Sequence, residues 1–335
     1  MPSWDSWYVG KRVLVTGAGG FIGSHLAEGL AAAGAKVRAW VRYSSRADAG
    51  NLEHLPRAGK DGLEIIRGDI RDPHSCLRAA EKVDVVFHLA ALIGIPYSYH
   101  APGDYVAVNV AGTLNILEAC RVYGMSRVIH TSTSEVYGTA QTRPISEQHP
   151  LVGQSPYSAS KIGADKLAES YFRSFSLPVV TVRPSNTYGP RQSARAVIPT
   201  IFSQLLAGFD SVALGSLAAE RDLTYVTDTV QGFLALGACG AAVGKTVNLG
   251  TGQAITIGDL AEKCQAIAGR RVPIVADSAR VRPEHSEVLA LICDNSQAKA
   301  LTGWTPQGDL KSGLQAGMQF ISQHPDLFRP AEYQR

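Results

Sequence analysis

The sequence predicts an α/β protein, a doubly wound parallel sheet with a smaller, mixed C-terminal unit. Three observations carry that reading. Short β-branched runs alternate with segments of helical period through about residue 188. A glycine-rich turn separates the first strand from the first helix. The chain has 335 residues, about twice the length of one average domain. Apolar strands separated by helices of this length belong to a sheet covered on both faces, with right-handed crossovers.

The order opens with a strand at 11–17 and a helix at 24–34, where apolar residues recur at helical spacing and Gly34 is placed as a cap. A strand at 35–41 follows, then a strand at 62–66, a helix at 73–81 and a strand at 83–89. A long helix at 105–122, a strand at 128–131, a second long helix at 157–174 and a strand at 179–183 continue the alternation. Beyond about Tyr188 glycine and proline fall less regularly, and helices are expected at 197–206, 228–239, 257–268 and 312–323. The expected division is therefore 1–188 as the first domain, with a return near 222–250 through a strand at 246–249, and 189–335 as the second. From Pro325 onward the chain reads as a tail.

Composition excludes several classes. Hydrophobic residues make up 45% and charged residues 18%, too apolar for a disordered chain. The net charge of +3, from 32 basic and 29 acidic side chains, is too small for a nucleic-acid binder. No apolar run is long enough for a membrane helix, and the first twelve residues lack the apolar core of a secretory signal. Cys76, Cys120, Cys239, Cys264 and Cys293 are scattered, with no CxxC pair. They read as reduced core thiols of a cytoplasmic protein, and no metal site is expected.

Gly17, Gly20 and Gly23 form a GxxGxxG turn at the end of a strand and the start of a helix. Glycines let the backbone approach a pyrophosphate, and the helix N-terminus offers it free N–H groups and a positive dipole end. This is a Rossmann dinucleotide site, assigned to the first domain; the second is then the substrate-binding domain. An acid commonly ends the second strand of such a site, where it bonds the adenosine 2′-OH. Residues 39–46 carry none, and present Arg42, Ser44, Ser45 and Arg46 instead. Guanidinium and hydroxyl groups suit a 2′-phosphate, which points to NADP over NAD. Asp69, at another strand end, is placed either to accept a hydrogen bond from adenine or to serve as a plain turn acid.

Tyr157 and Lys161 stand at i and i+4, on one face of a helix. An ammonium beside a phenol favours phenolate, so Lys161 is expected to lower the pKa of Tyr157 and make it an acid–base group. The strand ending near residue 131 runs into Ser132, Thr133, Ser134 and Glu135. Side chains at such strand ends face the ligand crevice. Thr133 can hydrogen-bond the Tyr157 oxygen, and Glu135 is the lone carboxylate of the stretch, able to move a second proton.

Together, Gly17, Gly20, Gly23, Asp69, His88 through Ala91, Asn109, Thr133, the Tyr157-x-x-x-Lys161 pair and the run from Arg183 to Pro190 resemble the extended short-chain dehydrogenase/reductases that modify nucleotide sugars. The resemblance spans about residues 11–320. It implies a nicotinamide cofactor contacted also by Phe21, Ile22, Ile70, Leu89, Ala90, Ala91, Asn109, Tyr157, Lys161 and Arg183. It implies a homodimer built on the two long helices. The Thr133-Ser134-Glu135 segment looks like that of GDP-mannose 4,6-dehydratase and the UDP-glucuronate decarboxylases, whereas dTDP-glucose 4,6-dehydratases carry Thr-Asp-Glu. Catalysis is thereby expected from Thr133, Ser134, Glu135, Tyr157 and Lys161. By match to the family pattern, Asn186, Arg191, Arg221 and Arg282 are expected on the substrate diphosphate, with Ile93 and Tyr97 walling the sugar pocket. The reaction implied is 4,6-dehydration of an NDP-hexose or NDP-N-acetylhexosamine in cell-surface sugar biosynthesis. The alternatives are 4-epimerisation, UDP-glucuronate decarboxylation and NADP sensing without turnover.

Overall fold

The computed structural model describes residues 4–60 and 62–333. Seven strands form the main sheet: β1 Arg12–Thr16, β2 Lys36–Arg42, β3 Leu63–Gly68, β4 Val85–His88, β5 Arg127–Thr131, β6 Val179–Pro184 and β7 Thr246–Leu249. All are parallel, in the order β7-β6-β5-β4-β1-β2-β3. The strand at 246–249 does return to this sheet, at its edge beside β6. After β3 the chain crosses to the far side of β1 to lay down β4. That reversal opens a crevice at the carboxyl ends of β1 and β4, where ligands bind in open α/β sheets.

Helix ends follow from local chemistry. Asp72 caps the helix Pro73–Ala80 by accepting from the N–H groups of His74 and Ser75, with proline in the first turn. Ser155 and Ser158 make a reciprocal capping box at the start of Pro156–Phe175. The long helix expected at 105–122 begins earlier, at Pro102, and contains a π-helical stretch, Val106–Ala111, before Gly112–Tyr123. Periodicity alone does not register such a widening, which is common at functional sites. Here it carries Asn109.

Helices cover both faces of the sheet. On one, Leu26 and Leu30 of Phe21–Ala32 and Phe233 of Val226–Ala238 bury against Val13, Val15 and Phe87. On the other, Ile116 and Tyr171 join Leu14, Trp40 and Val86. A third core gathers Ile198, Phe202, Leu260, Cys264, Leu314 and Ile321 from the later helices. Four of the five cysteines are buried, and all five are free. Among the described residues no helix is long and apolar enough to cross a membrane.

The chain after Pro325 is more than a tail. A short 3-10 turn, Pro325–Leu327, delivers Phe328 into the third core, where it is 7% exposed. One aromatic ring in a polar segment gives no periodic signal, so the sequence pattern passes over it. Phe328→Ala is expected to lower stability by about 3 kcal/mol through lost burial and a residual cavity, read as a reduced urea midpoint at unchanged slope.

Candidate active site

The glycine turn is sterically closed to other residues. Gly17 has φ +71°, and a Cβ there would lie 2.8 Å from the Ala90 nitrogen. A Cβ on Gly23 would lie 2.2 Å from the Gly17 carbonyl oxygen. Phe21 and Ile22 then open a twelve-residue helix that has no side-chain cap. Its free N–H groups and dipole face the crevice, which fits a dinucleotide pyrophosphate. The Thr16 hydroxyl accepts from the N–H groups of Leu89 and Ala90, each at 3.1 Å, and so fixes the facing strand end.

Beyond β2, Arg42, Ser45 and Arg46 are exposed, while Ser44 donates to Asp48 at 3.3 Å. Asp69 is paired within its own turn. Both of its oxygens accept from the Arg71 guanidinium, with contacts from 2.6 to 3.0 Å, and this bond holds the carboxyl below its usual range. Ile70 is buried beside it, its carbonyl accepting from Asn115.

A hydrogen-bond chain runs from the glycine turn to the second long helix. Thr16 bonds His88 Nδ1 at 2.9 Å, His88 Nε2 bonds Thr113 at 3.0 Å, and the Thr113 hydroxyl donates to the Asn109 carbonyl. Burial holds the His88 ring well below its ordinary pKa, so it is neutral between two hydroxyls. The Asn109 amide group is committed to protein: it accepts from Leu92 N–H and donates to the Leu92 carbonyl and to Ser160. Its side chain braces the strand end carrying Ala91 against the helix carrying Tyr157.

Tyr157 is buried, edge-on to Tyr105 at 6.2 Å between ring centres. Burial pushes its phenol well above the ordinary value, and a hydrogen bond with Thr133 pulls the other way. The expected lowering by Lys161 is not what the geometry delivers. Lys161 Nζ donates to the Thr131 carbonyl at 2.7 Å, because the side chain at i+4 reaches past the phenol to the end of β5. Burial brings this lysine down to about 8, an effect opposed by Asp165. Thr133 accepts from Glu135 N–H at 3.2 Å and caps the short turn Ser134–Tyr137, which turns Glu135 toward the crevice. Ser134 is buried in that turn.

Asp165 is the residue that sequence reasoning missed. One oxygen bonds His130 Nε2 at 3.0 Å, and the other accepts from Ser132 and Arg183, each at 2.8 Å. Burial alone would raise its pKa; the His130 hydrogen bond and the charges of His130, Arg183 and Lys161 bring it to about 2. Its position four residues after Lys161 was the available signal, since it shares the helix face of Tyr157 and Lys161. Arg183 bonds Asp165 and the Tyr137 hydroxyl and stacks on the Tyr137 ring, so its guanidinium joins the strand end to the helix of Tyr157.

On the other wall, Arg282 Nη1 lies 3.9 Å from Glu135 Oε2, and Arg221 Nη2 lies 3.6 Å from Glu287 Oε1. Tyr99, Ser286 and Gln154, none of them anticipated, tie this wall across the mouth. The Tyr99 and Ser286 hydroxyls are 2.6 Å apart, and Ser286 donates to the Gln154 carbonyl. Asn186 Oδ1 is buried without a hydrogen-bond partner. Ile93 is exposed, and Tyr97 lies 6.2 Å from Tyr105, ring to ring. Arg191 packs against the glycine-turn helix. Its backbone is left-handed at φ +66°, and its guanidinium donates to Glu28 at 2.7 Å and to the His25 ring, while Nη1 is buried without a hydrogen-bond partner. It clamps that helix through Glu28 and His25.

The profile of a family described as GDP-mannose 4,6 dehydratase matches residues 14–316. The chain belongs to this family. It is 36% identical to a dTDP-glucose 4,6-dehydratase of Actinoplanes sp. over 90% of its own length and 95% of that protein's. It is also 36% identical to a UDP-glucose 4-epimerase of Mycolicibacterium smegmatis over 92% and 98%. Among solved structures, DesIV, a dTDP-glucose 4,6-dehydratase from Streptomyces venezuelae with NAD and TYD bound, superposes with a TM-score of 0.84 at 30% identity, covering 96% and 100%. As a member of the GDP-mannose 4,6 dehydratase family the protein is an enzyme of the nucleotide-sugar dehydratase and epimerase type, built on a Rossmann fold.

In this family member the Asp165 network should register in stability. Asp165→Asn is expected to cost about 3–5 kcal/mol by leaving Arg183 buried and unpaired. The folded carboxyl lies near 2, below its ordinary 3.8. Its contribution is therefore complete above about pH 4 and is lost as pH falls toward 2. The stability gap between wild type and variant, measured by denaturant unfolding, should narrow across that window.

Proposed function

We propose that the protein is a nucleotide-sugar 4,6-dehydratase that takes an NDP-hexose or NDP-N-acetylhexosamine to its 4-keto-6-deoxy form. One observation supports this over simple 4-epimerisation. The carboxylate of Glu135 shares the crevice with the Tyr157 phenol, close enough for its charge to act on the phenol. Epimerisation at C4 needs one acid–base group. Dehydration needs a second, to take the C5 proton while hydroxide leaves C6.

A nicotinamide nucleotide in the glycine-lined turn supplies reversible hydride acceptance, so no outside reductant is consumed. Tyr157, hydrogen-bonded by Thr133, takes the C4 hydroxyl proton. The Thr133 bond lowers the cost of a phenolate in a buried site. Lys161, held on the Thr131 carbonyl, keeps a positive charge at the base of the crevice. The resulting C4 ketone acidifies C5–H, and Glu135 removes that proton. The C6 hydroxyl leaves as water, with Glu135 or a Ser134-held water as the acid. In balance, C4 is oxidised from alcohol to ketone, C6 is reduced from hydroxymethyl to methyl, and one water is lost. Asn186, Arg221 and Arg282 hold the diphosphate, and Ile93 and Tyr97 border the sugar.

For the cofactor we infer NADP, because the loop after β2 offers the exposed Arg42, Ser45 and Arg46 to a 2′-phosphate. We infer a homodimer through the two long helices, whose surfaces leave Val106, Leu114, Val122 and Phe175 exposed, and a cytoplasmic setting that suits five free thiols.

Product mass tests the reaction: dehydration loses water, decarboxylation loses carbon dioxide, and epimerisation changes nothing. The 4-epimerase reading has its own support in the equal identity to the Mycolicibacterium smegmatis enzyme, and an unchanged mass would establish it. Glu135→Gln should retain cofactor binding and lose dehydration by about 10²-fold or more; near-normal turnover would exclude Glu135 as the base. In calorimetric titration NADP should bind more tightly than NAD. The pair Arg42→Ala and Arg46→Ala should weaken NADP by about tenfold and leave NAD unchanged. Tighter NAD in the wild type would reverse the assignment.

A further inference from the structure

The wall opposite Tyr157 is short of negative charge. Arg282 Nη1 is buried and has no hydrogen-bond partner, and the carboxylate it approaches, Glu135, is 3.9 Å away. Arg221 is 6% exposed; it donates to the Glu220 carbonyl and approaches Glu287 only to 3.6 Å. The Arg221 charge also acts on Glu135, and the two guanidiniums repel one another. The groups facing Glu135 are therefore Arg282, Arg221 and the Tyr157 phenol. Arg221 is buried and Arg282 partly buried; guanidiniums so placed are stable when their donors are filled in bidentate fashion, and here carboxylates approach them only at long range. A diphosphate carries the charge and the oxygens that this pair lacks.

We propose that Glu135 stands in for the substrate diphosphate in the resting enzyme. Arg282, 3.9 Å from Oε2, holds the Glu135 side chain on that wall until the arriving diphosphate draws the guanidinium away, and only then is Glu135 free to turn to the sugar and take a proton. This rests on the dehydratase reading above, which supplies the C5 proton as its target. In that step the C5–H bond breaks, the proton goes to a Glu135 oxygen, and the electron pair moves into the enolate of the C4 ketone. The base is thus switched on by the nucleotide end of the substrate, and a sugar that arrives without it meets a Glu135 still held on the opposite wall by Arg282.

The test separates the two ends of the substrate. Wild-type enzyme in D2O is given free 4-keto-6-deoxyglucose, with and without inorganic pyrophosphate, and deuterium entry at C5 is followed by NMR. Pyrophosphate is expected to accelerate entry by about tenfold or more, and Arg282→Ala is expected to exchange without it and to lose most of the acceleration. Unchanged or slower exchange with pyrophosphate on the wild type would overturn the proposal. UDP- and dTDP-linked 4-keto-6-deoxyglucose serve as controls. If neither exchanges at C5, or if Glu135→Gln exchanges as fast as wild type, the dehydratase reading itself fails and the proposal falls with it.

Discussion

A single buried carboxylate fixes the relation between the two halves of the chemistry. Asp165 sits 4% exposed beneath the crevice and binds His130 and Ser132 at the end of β5 and Arg183 of β6. It belongs to the helix that also carries Tyr157 and Lys161. One side chain therefore ties the strand leading to Thr133 and Glu135 to the helix bearing the phenol. A buried ion pair is rarely a net source of stability, because desolvation consumes much of the attraction. Its worth is geometric: proton transfer demands that both groups flank one sugar ring within hydrogen-bond reach, and this network admits one arrangement of helix against strand.

A second line of hydrogen bonds joins the same helix to the dinucleotide turn. It runs from Thr16 through His88 and Thr113 to Asn109, then to Ser160, three residues beyond Tyr157. Each donor in it is matched by an acceptor, and the imidazole is neutral because burial makes its charged form costly. The π-helical stretch that holds Asn109 lets its side chain reach Leu92 and Ser160 together. The turn and the catalytic helix are thus set by a rigid path of short bonds, so a ligand spanning them meets both at a fixed separation.

Much of this was legible in the sequence because it depends on period and on glycine. Alternating strands and helices give the sheet, including the return of Thr246–Leu249, and the triplet Gly17, Gly20 and Gly23 gives the phosphate turn, since no other residue fits there. Tyr157 and Lys161 were legible from helical spacing, but the electrostatic consequence was not. Spacing places two side chains on one face without saying that the ammonium will find a carbonyl at the end of β5 before it finds a phenol. Arg183 and Arg191 show the same limit. A motif marks an arginine as special, and only the fold says whether its special partner is a ligand or a neighbouring carboxylate. Tyr99, Gln154 and Ser286 were out of reach because they meet across more than a hundred residues of chain.

Arg183, Arg191, Arg221 and Arg282 differ most in how closely carboxylates pair with them. Arg183 fills its donors on Asp165 and Tyr137, and Arg191 is held at close range by Glu28 and His25. Drawing Arg183 away would strip a buried carboxylate, and drawing Arg191 away would break its close pair with Glu28. Arg221 and Arg282 face carboxylates at 3.6 and 3.9 Å, beyond hydrogen-bond length. An anion that reaches them forms charge-assisted bonds while breaking none of that quality. The same two cations lie beside Glu135. In the proposed reaction, phosphate binding and proton transfer therefore draw on the same small reserve of positive charge.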